Sequence, residues 1–440
     1  MNSKKLYKAA KAAGFTTFEA QITYVEELSV ESFNGEQESF VVAGNGEMNL
    51  RGIIDGKCGS FTSDRVDDEV IDAAVAAVKE SAAYGQPIDP KYFIKGGEYK
   101  YEKVENFSAK LDAVPAERLN ELCCRLGKAV HEKDERVNNV GVQLQYVHSK
   151  KNHSNSNGLD LNSESNYLMI FASGAVTENG ETQSGMHYDF IADLDSFDEG
   201  AFVDKLVDKI VKQLGGQTVD SGKYNVVYSN QCVATLLLPI CNAFSAFNAE
   251  QHISPLEGKI GEKIFDETVT LCEKPIGSSP YCSAYDVEGV PCKNKTLIAK
   301  GVPTGYVYDL ATADRAGVKS TGNGAMVNGN VRPTLSLAVL EEGGNSLDEL
   351  FKAVGNGLYI TSLDGVHSGM DMKSGAYSLQ ASGFTIENGV LGRPVSLITA
   401  AGNVMEDFKN VIAVGNDSKL TYNGVQAPAV AMSGISISGK

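Results

Sequence analysis

The sequence predicts an α+β fold in two halves: an N-terminal antiparallel sheet with amphipathic helices, and a C-terminal strand-rich domain with a curved, mostly antiparallel sheet. Three observations predict it. Polar and apolar residues alternate from Thr17 to Phe61, with turn dipeptides that begin at Asn34, Asn45 and Asp55. Three segments of the first half have apolar residues at helical spacing. Beyond residue 216, strand-like runs and glycines become more frequent.

The first half is expected to begin with a short helix from Lys4 to Ala13, followed by the antiparallel meander. Ser63 is a predicted N-cap for the next helix, which extends to about Ala83. Its apolar residues recur every four positions, so one side of this helix should lie on the sheet. These residues are Val66, Val70, Ala74 and Val78.

A linker at 86–107, which has prolines and no periodicity, leads to two more helices. Pro115 should open the first of them, because a proline in the first turn costs no hydrogen bond. The second contains Phe202 and Leu206 and ends at Gly215. The apolar residues of the first are Leu119, Leu122, Cys123, Leu126 and Val130. The predicted strands of this region are 140–147, 167–172 and 186–191.

We therefore predict an N-terminal domain at 1–216, with subdomains at about 1–86 and 108–216, and a C-terminal domain at 217–440. The second domain should contain a strand at 223–228, an apolar helix at 232–247, a strand at 335–339 and a helix at 346–355. The last helix has a capping box formed by Ser346 and Glu349.

Near the C-terminus, predicted strands at 359–363 and 384–387 enclose a Gly/Ser-rich segment, 365–383. This segment contains His367, Asp371, Lys373 and Ser378. It is either a plain long connection or a site loop held by a rigid sheet, and its composition alone favours the plain connection.

Charge and hydropathy exclude several classes of protein. The chain of 440 residues has 56 acidic and 39 basic side chains, a net charge of −17, which repels phosphate backbones and disfavours nucleic-acid binding. No apolar run of about 18 residues exists to cross a membrane, and the start lacks the apolar core of a secretory signal. The eight cysteines form no CxxC pair, so reduced thiols and a cytoplasmic location are expected.

Several motifs resemble those of one known family. They are SGMDMKSGAYSLQASGFTIENG from Ser368, AGN from Ala401, VGND from Val414, GVKSTGNG from Gly317 and ESFNGE from Glu31. Together they resemble the TldD/PmbA family, whose PmbA member is also called TldE. The family was first described as modulators of DNA gyrase and later understood as peptidases. The resemblance extends over almost the whole chain.

One motif of that family is absent. In the TldD branch a central helix carries HExxxH, in which two histidines bind zinc and the glutamate acts on water. Here Leu238, Pro239 and Ala243 stand at the corresponding positions, and no histidine occurs between His187 and His252. The chain therefore resembles the PmbA/TldE branch. We expect no metal site and no catalytic residue in it, and we expect zinc in a TldD-like partner.

The other histidines give weaker signals. The pair His131-Glu132 begins like the zinc motif, but Arg136 stands where its second histidine would be. His148 and His153 flank two lysines and are expected in a surface loop. His367 lies in the segment that, by resemblance, helps to shape the substrate cleft of the family. It is therefore a candidate substrate-binding residue, together with Asp371 and Ser378.

Three functions remain open. The resemblance implies a non-catalytic subunit of a TldD/TldE-type metalloprotease that acts on unfolded or modified peptides, with an HExxxH-bearing subunit as its partner. The alternative is a stand-alone peptide-binding or regulatory homodimer without hydrolytic activity. The third is an independent hydrolase that uses other groups, such as His367 with Asp371. Copurification with an HExxxH-bearing relative distinguishes the first two.

Overall fold

The computed structural model describes all residues, 1–440, and its first half is built on one six-stranded antiparallel sheet. The strands are β1 (Thr17–Phe33), β2 (Glu36–Ile54), β3 (Lys57–Ser63), β4 (Val137–Asn155), β5 (Asp160–Glu178) and β6 (Glu181–Ile191). Their order is β3-β2-β1-β4-β5-β6. The pairing of β1 with β4 therefore joins the two predicted subdomains in a single sheet.

Helices cover one face of this sheet at both ends. They are α1 (Ser3–Ala12), α2 (Ile71–Tyr84), α3 (Ala109–Asp112), α4 (Ala116–Lys133) and α5 (Glu199–Val211). α1 and α2 pack on Phe18, Ala20 and Ile22, whereas α4 and α5 pack around Val30. These strand positions are all even-numbered, and side chains alternate between faces, so both pairs of helices lie on the same face.

The second half contains a curved sheet that closes on itself. Its order is β16-β15-β14-β7-β20-β17, and β16 also pairs with β20. The strands are β7 (Gly222–Tyr228), β8 (Leu271–Glu273), β9 (Lys295–Ala299), β10 (Val302–Pro303), β11 (Gly324–Val327), β12 (Asn330–Pro333), β13 (Ala338–Leu340), β14 (Gly357–Asp364), β15 (Ala376–Glu387), β16 (Val390–Asn403), β17 (Val411–Val414), β18 (Lys419–Leu420), β19 (Val425–Ala427) and β20 (Val430–Ser438).

A second sheet of the C-terminal half, in the order β10-β9-β8-β13-β19-β18, packs with the first around a central apolar helix. That helix is α6, and seven of its residues belong to the main core, including Leu236, Leu237 and Ile240. The helices are α6 (Asn230–Ala243), α7 (Ala246–Glu250), α8 (Leu310–Ala316), α9 (Leu347–Val354), α10 (Val366–Gly369) and α11 (Val404–Asp407). The α+β prediction, with a strand-rich and mostly antiparallel second half, is confirmed.

Several local predictions are corrected. Asn45-Gly46 is not a turn but lies inside β2, opposite Val25 and Tyr24 of β1. Ser63 ends β3, and the side chain of Asp67 caps the single 3-10 turn before α2 instead. None of the helices combines the length and the apolar character that a membrane crossing requires.

Candidate functional site

The residues predicted from the Gly/Ser-rich segment do not form a common cluster. The segment is shorter than expected, because β15 already begins at Ala376. His367 is exposed on the short helix α10, and Ser378 is exposed within β15. Asp371 accepts hydrogen bonds from the Lys373 amide and the Ser374 hydroxyl, both at 2.8 Å, and so closes its own turn. No hydrogen bond joins His367 to Asp371.

The segment 365–375 is nevertheless attached to the central helix. The Asn242 amide, in the last turn of α6, donates a hydrogen bond to the Met372 carbonyl at 2.9 Å. Gly369 packs directly on β15, since a Cβ there would lie 2.4 Å from the Ser378 carbonyl oxygen. A glycine is needed at this position, because any side chain would push the segment off the strand.

The zinc-motif positions all lie on α6. This helix begins after Ser229, whose hydroxyl accepts a hydrogen bond from the Cys232 amide and satisfies one free N–H of the first turn. Pro239 and Ala243 are buried, and Leu238 is half-buried. None of these three side chains has an atom that ligates zinc. Across the chain, no group of three or more His, Cys, Asp and Glu residues is arranged to hold a metal ion.

A cleft of about 200 Å³ opens beside α6. The helix contributes Leu238, Cys241 and Asn242, and the opposite wall comes from the segments before β13 and before β19. Half of the lining residues are hydrophobic. The twelve lining residues are Leu238, Cys241, Asn242, Ser245, Val307, Pro333, Thr334, Leu335, Ala338, Asn423, Gly424 and Val425. The lining contains no charged side chain, and its polar side chains are amides and hydroxyls.

A buried polar network supports the wall of this cleft. The Glu273 carboxylate is only 1% exposed and accepts hydrogen bonds from the Lys295 ammonium at 2.8 Å and from the Asn323 amide at 2.8 and 2.9 Å. The Ser336 amide, next to the cleft, also donates to Glu273 at 3.0 Å. Asn323 belongs to the GVKSTGNG run, so a residue of this motif helps to hold the wall.

The thiol in the cleft is not an activated nucleophile. Burial, reinforced by the nearby negative charge of Glu273, raises the pKa of Cys241 to about 12. The thiolate is the nucleophilic form of cysteine, and a thiol with this pKa is almost entirely protonated at neutral pH. Cys241 therefore serves as an apolar part of the lining.

A second polar cluster lies between the two halves, at the loop 284–292. The Gln21 amide of β1 donates to the Val287 carbonyl at 2.6 Å, and the Tyr101 hydroxyl donates to the Gly289 carbonyl at 2.9 Å. Both donors belong to the N-terminal half and both acceptors to the loop. The predicted linker 86–107 thus helps to hold the loop on the first sheet.

Two carboxyl groups of this loop converge on Gly324. A Cβ at Gly324 would lie 2.9 Å from Glu288 Oε2 and 3.1 Å from Asp286 Oδ2. Glu288 accepts the Leu310 amide at 2.7 Å, and Asp286 accepts the Gly324 amide at 2.8 Å. Burial raises the pKa of Asp286 to about 6, and burial together with the adjacent Asp286 raises the pKa of Glu288 to about 8.

The sheet beneath the loop carries a buried ion cluster. Glu19 lies 2.6 Å from Arg51 and 3.1 Å from His153. Burial opposes its ionisation, but Arg51 and His153 outweigh burial and hold the pKa of Glu19 down at about 2. The expectation that His148 and His153 lie in a surface loop is therefore wrong. Both side chains are buried on β4, and His148 lies between Asp112 and Glu164.

Comparison with known proteins gives the class of this chain. Residues 221–439 match the model of the PmbA/TldA metallopeptidase C-terminal domain, and residues 109–214 match that of the central domain. A metalloprotease PmbA homolog from Haemophilus influenzae is 24% identical over 96% of this chain and 92% of its own length. The metalloprotease PmbA of Escherichia coli O157:H7 is equally similar, at 24% identity over the same shares. The chain belongs to the PmbA/TldD family of metallopeptidase-like proteins.

Solved structures agree in fold. A candidate modulator of a DNA gyrase from Thermotoga maritima superposes with a TM-score of 0.89 at 27% identity, over 99% of both chains. TldE from Thermococcus kodakarensis superposes with a TM-score of 0.90 at 22% identity, over 99% of this chain and 100% of that one. The recognition of the family from its motifs is confirmed.

Proposed function

We propose that this chain is the subunit without a metal site in a TldD/TldE-type metalloprotease that acts on unfolded or modified peptides. Hydrolysis belongs to an HExxxH-bearing subunit in this proposal. The observation that carries it is the chemistry of α6, where Leu238, Pro239 and Ala243 replace the zinc ligands and the glutamate beside an open cleft.

The cleft indicates what the chain contributes. Its lining is uncharged, and its amide and hydroxyl groups come from Asn242, Ser245, Thr334 and Asn423. An extended peptide can bind such a surface by backbone hydrogen bonds while its apolar side chains enter the cleft. A folded substrate has no free backbone to offer, so this mode of binding selects unfolded chains. His367, Asp371 and Ser378 remain proposed substrate contacts outside the lining of the cleft.

A cleft variant tests the proposal. Leu335→Glu places a carboxylate on the apolar wall, whereas Leu391→Glu places one on the exposed start of β16 as a control. In the presence of the HExxxH-bearing relative, we expect Leu335→Glu to raise the KM for an unfolded protein by about tenfold, the equivalent of about 1.4 kcal/mol. Assembly of the two subunits should be unchanged. Equal KM values for the two variants would contradict a role of the cleft in substrate binding.

A further inference from the structure

Three lysines converge where β6, the edge strand of the first sheet, contacts the C-terminal half. Lys205 and Lys209 lie one turn apart on α5, and Lys419 belongs to β18. The Lys419 ammonium donates to the Tyr188 carbonyl of β6 at 2.8 Å and lies 2.7 Å from Asp189 Oδ1. Lys419 and Lys205 are both close enough to Lys209 to lower the pKa of its ammonium. The two halves thus bring three cationic side chains together.

The ammonium of Lys209 is largely shielded from water but has no counter-ion. It donates to two neutral acceptors, the Gln231 side-chain carbonyl at 2.9 Å and the Met186 backbone carbonyl at 3.3 Å, and it forms no salt bridge. Burial, reinforced by the charge of Lys419, lowers the pKa of Lys209 to about 8. Buried charges are ordinarily paired, because their removal from water is costly, so this ammonium lacks the anion that such a site requires.

The three lysines carry more positive charge than their surroundings neutralise. Asp189 is the carboxylate that pairs with one of them, and Lys419 is its partner. Lys205 is exposed and forms no salt bridge. Two positive charges therefore remain without a partner, in a chain whose net charge is −17. An anion with two negative charges would neutralise them.

A buried histidine without a hydrogen bond faces the same lysines. His187 of β6 is 3% exposed, and neither of its ring nitrogens has a hydrogen-bond partner, although Nε2 lies 3.3 Å from Asp189 Oδ2. Burial, together with the charges of Lys419 and Lys209, lowers the pKa of His187, so the imidazole is neutral at neutral pH and keeps one N–H. Buried polar groups nearly always have partners, so this donor also indicates a missing acceptor.

We propose that Lys205, Lys209, Lys419 and His187 bind a doubly charged oxyanion of the phosphate class at the boundary between the two halves. Lysine ammonium groups bind phosphate as point charges, and the imidazole N–H can donate to one of its oxygens. The ion can enter from solvent, because the side chains of Asp189 and Lys419 retain 27% and 22% of their accessible surface. Since α5 and β18 belong to different halves, the bound ion would hold the halves together.

This anion site is separate from the proposed peptide cleft. Gln231, which accepts a hydrogen bond from Lys209, lies in the first turn of α6, whereas Cys241 of the cleft lies in its last turn. A helix rises about 1.5 Å per residue, so about 15 Å separate the two positions. Failure of phosphate to bind would leave the proposed role of the cleft intact, and absence of protease activity would leave the anion site intact.

Calorimetric titration of the full chain with inorganic phosphate, at constant ionic strength, tests the site. Lys209→Met removes one ammonium and keeps an unbranched side chain, so the dissociation constant for phosphate should rise by about tenfold or more, because a charge-assisted hydrogen bond is lost. Lys212→Met is the matched control. It removes the same charge just beyond the end of α5, where Lys212 is exposed and already pairs with Asp208 at 2.6 Å. No saturable binding by the unchanged chain, or equal dissociation constants for the two variants, would overturn the proposal.

Thermal denaturation gives a second measurement, which also shows whether the variant folds. An ion that binds only the folded chain should raise the Tm of the unchanged chain as the phosphate concentration rises, and Lys209→Met should lose this response. Without phosphate, Lys209→Met should be at least as stable as the unchanged chain, because it removes a buried charge that has no partner. Equal losses of stability with and without phosphate would give Lys209 a purely structural role and overturn the proposal.

Discussion

Asn323 determines whether Glu273 can remain buried beside the cleft. The carboxylate has one cationic partner, Lys295, and the amide of Asn323 occupies both of its oxygens. The Asn323 carbonyl oxygen also accepts a hydrogen bond from Lys295 at 2.7 Å. A buried carboxylate is stable only when its oxygens have partners, so the three residues act as a unit.

Removal of this amide should therefore destabilise the protein. We expect Asn323→Ala to lower the free energy of unfolding by about 1–3 kcal/mol, the cost of leaving a buried acceptor unsatisfied. Asn330→Ala, an exposed position in the hairpin formed by β11 and β12, is the control and should change it by less than about 0.5 kcal/mol. Chemical denaturation measures both. Equal values would show that the network does not stabilise this wall.

Residues of this network could not be predicted from the sequence. Glu273, Lys295 and Asn323 are separated by more than 20 positions each, and no local spacing relates them. The predicted position of His153 in a surface loop is wrong for a related reason. Its neighbours Lys150 and Lys151 indicate an exposed surface. In the structure, however, His153 lies on the long strand β4 next to Glu19 of β1, a strand that is distant in sequence but paired with β4.

At the scale of elements, one side-chain hydrogen bond joins α6 to the segment 365–375. Asn242 is the residue of α6 that binds the segment, through the Met372 carbonyl. Asn242→Ala should free the segment, so amide hydrogen exchange at 365–375 should become faster by about tenfold. Asn410→Ala removes a similar exposed side-chain hydrogen bond elsewhere and is the control. Unchanged exchange in Asn242→Ala would show that the other contacts of the segment, with β15 and Asn403, are sufficient to hold it.

The type of most elements could be predicted, but their lengths could not. The five apolar positions predicted for α4, for example, are all buried. The turn predicted at Asn45-Gly46 is wrong because a glycine can indicate either a turn or a close approach of another chain segment. Here Gly46 allows Val66 to approach β2, where a Cβ would be only 2.2 Å from it, and no turn is formed. The capping box of Ser346 and Glu349, whose signal is local, is confirmed.

At the scale of the whole molecule, the loop 284–292 contacts the first sheet through its backbone carbonyls and carries two buried carboxyl groups whose pKa values are raised. The other titratable groups that face Asp286 and Glu288 are Asp309, Arg51 and His153. Among the carboxylates of this region, only Glu19 has a close cationic partner, which is Arg51. The pKa of Glu288 rises from its ordinary value of 4.5 to about 8. Between these values the folded chain keeps a proton that the unfolded chain has lost, so stability should decrease as the pH rises.

Glu288→Gln tests this pH dependence. The glutamine still offers an acceptor to the Leu310 amide but does not titrate, so the decrease in the free energy of unfolding between about pH 5 and 8 should become shallower. The difference cannot exceed about 1.4 kcal/mol per pH unit for a single group. Denaturation curves at several pH values measure it, with the exposed Glu102→Gln as control. Parallel pH profiles for the two variants would contradict protonation of Glu288 in the folded chain.

We propose that this chain is a peptide-binding subunit and that its partner carries out the hydrolysis. The most direct measurement is the degradation of an unfolded protein by this chain alone, by an HExxxH-bearing relative from the same organism alone, and by the mixture, each with and without a chelator. We expect chelator-sensitive degradation in the mixture only. Degradation by this chain alone, resistant to the chelator and lost in His367→Ala, would contradict it and favour an independent hydrolase. No degradation by a mixture whose relative holds zinc would also contradict it and favour the stand-alone binding protein.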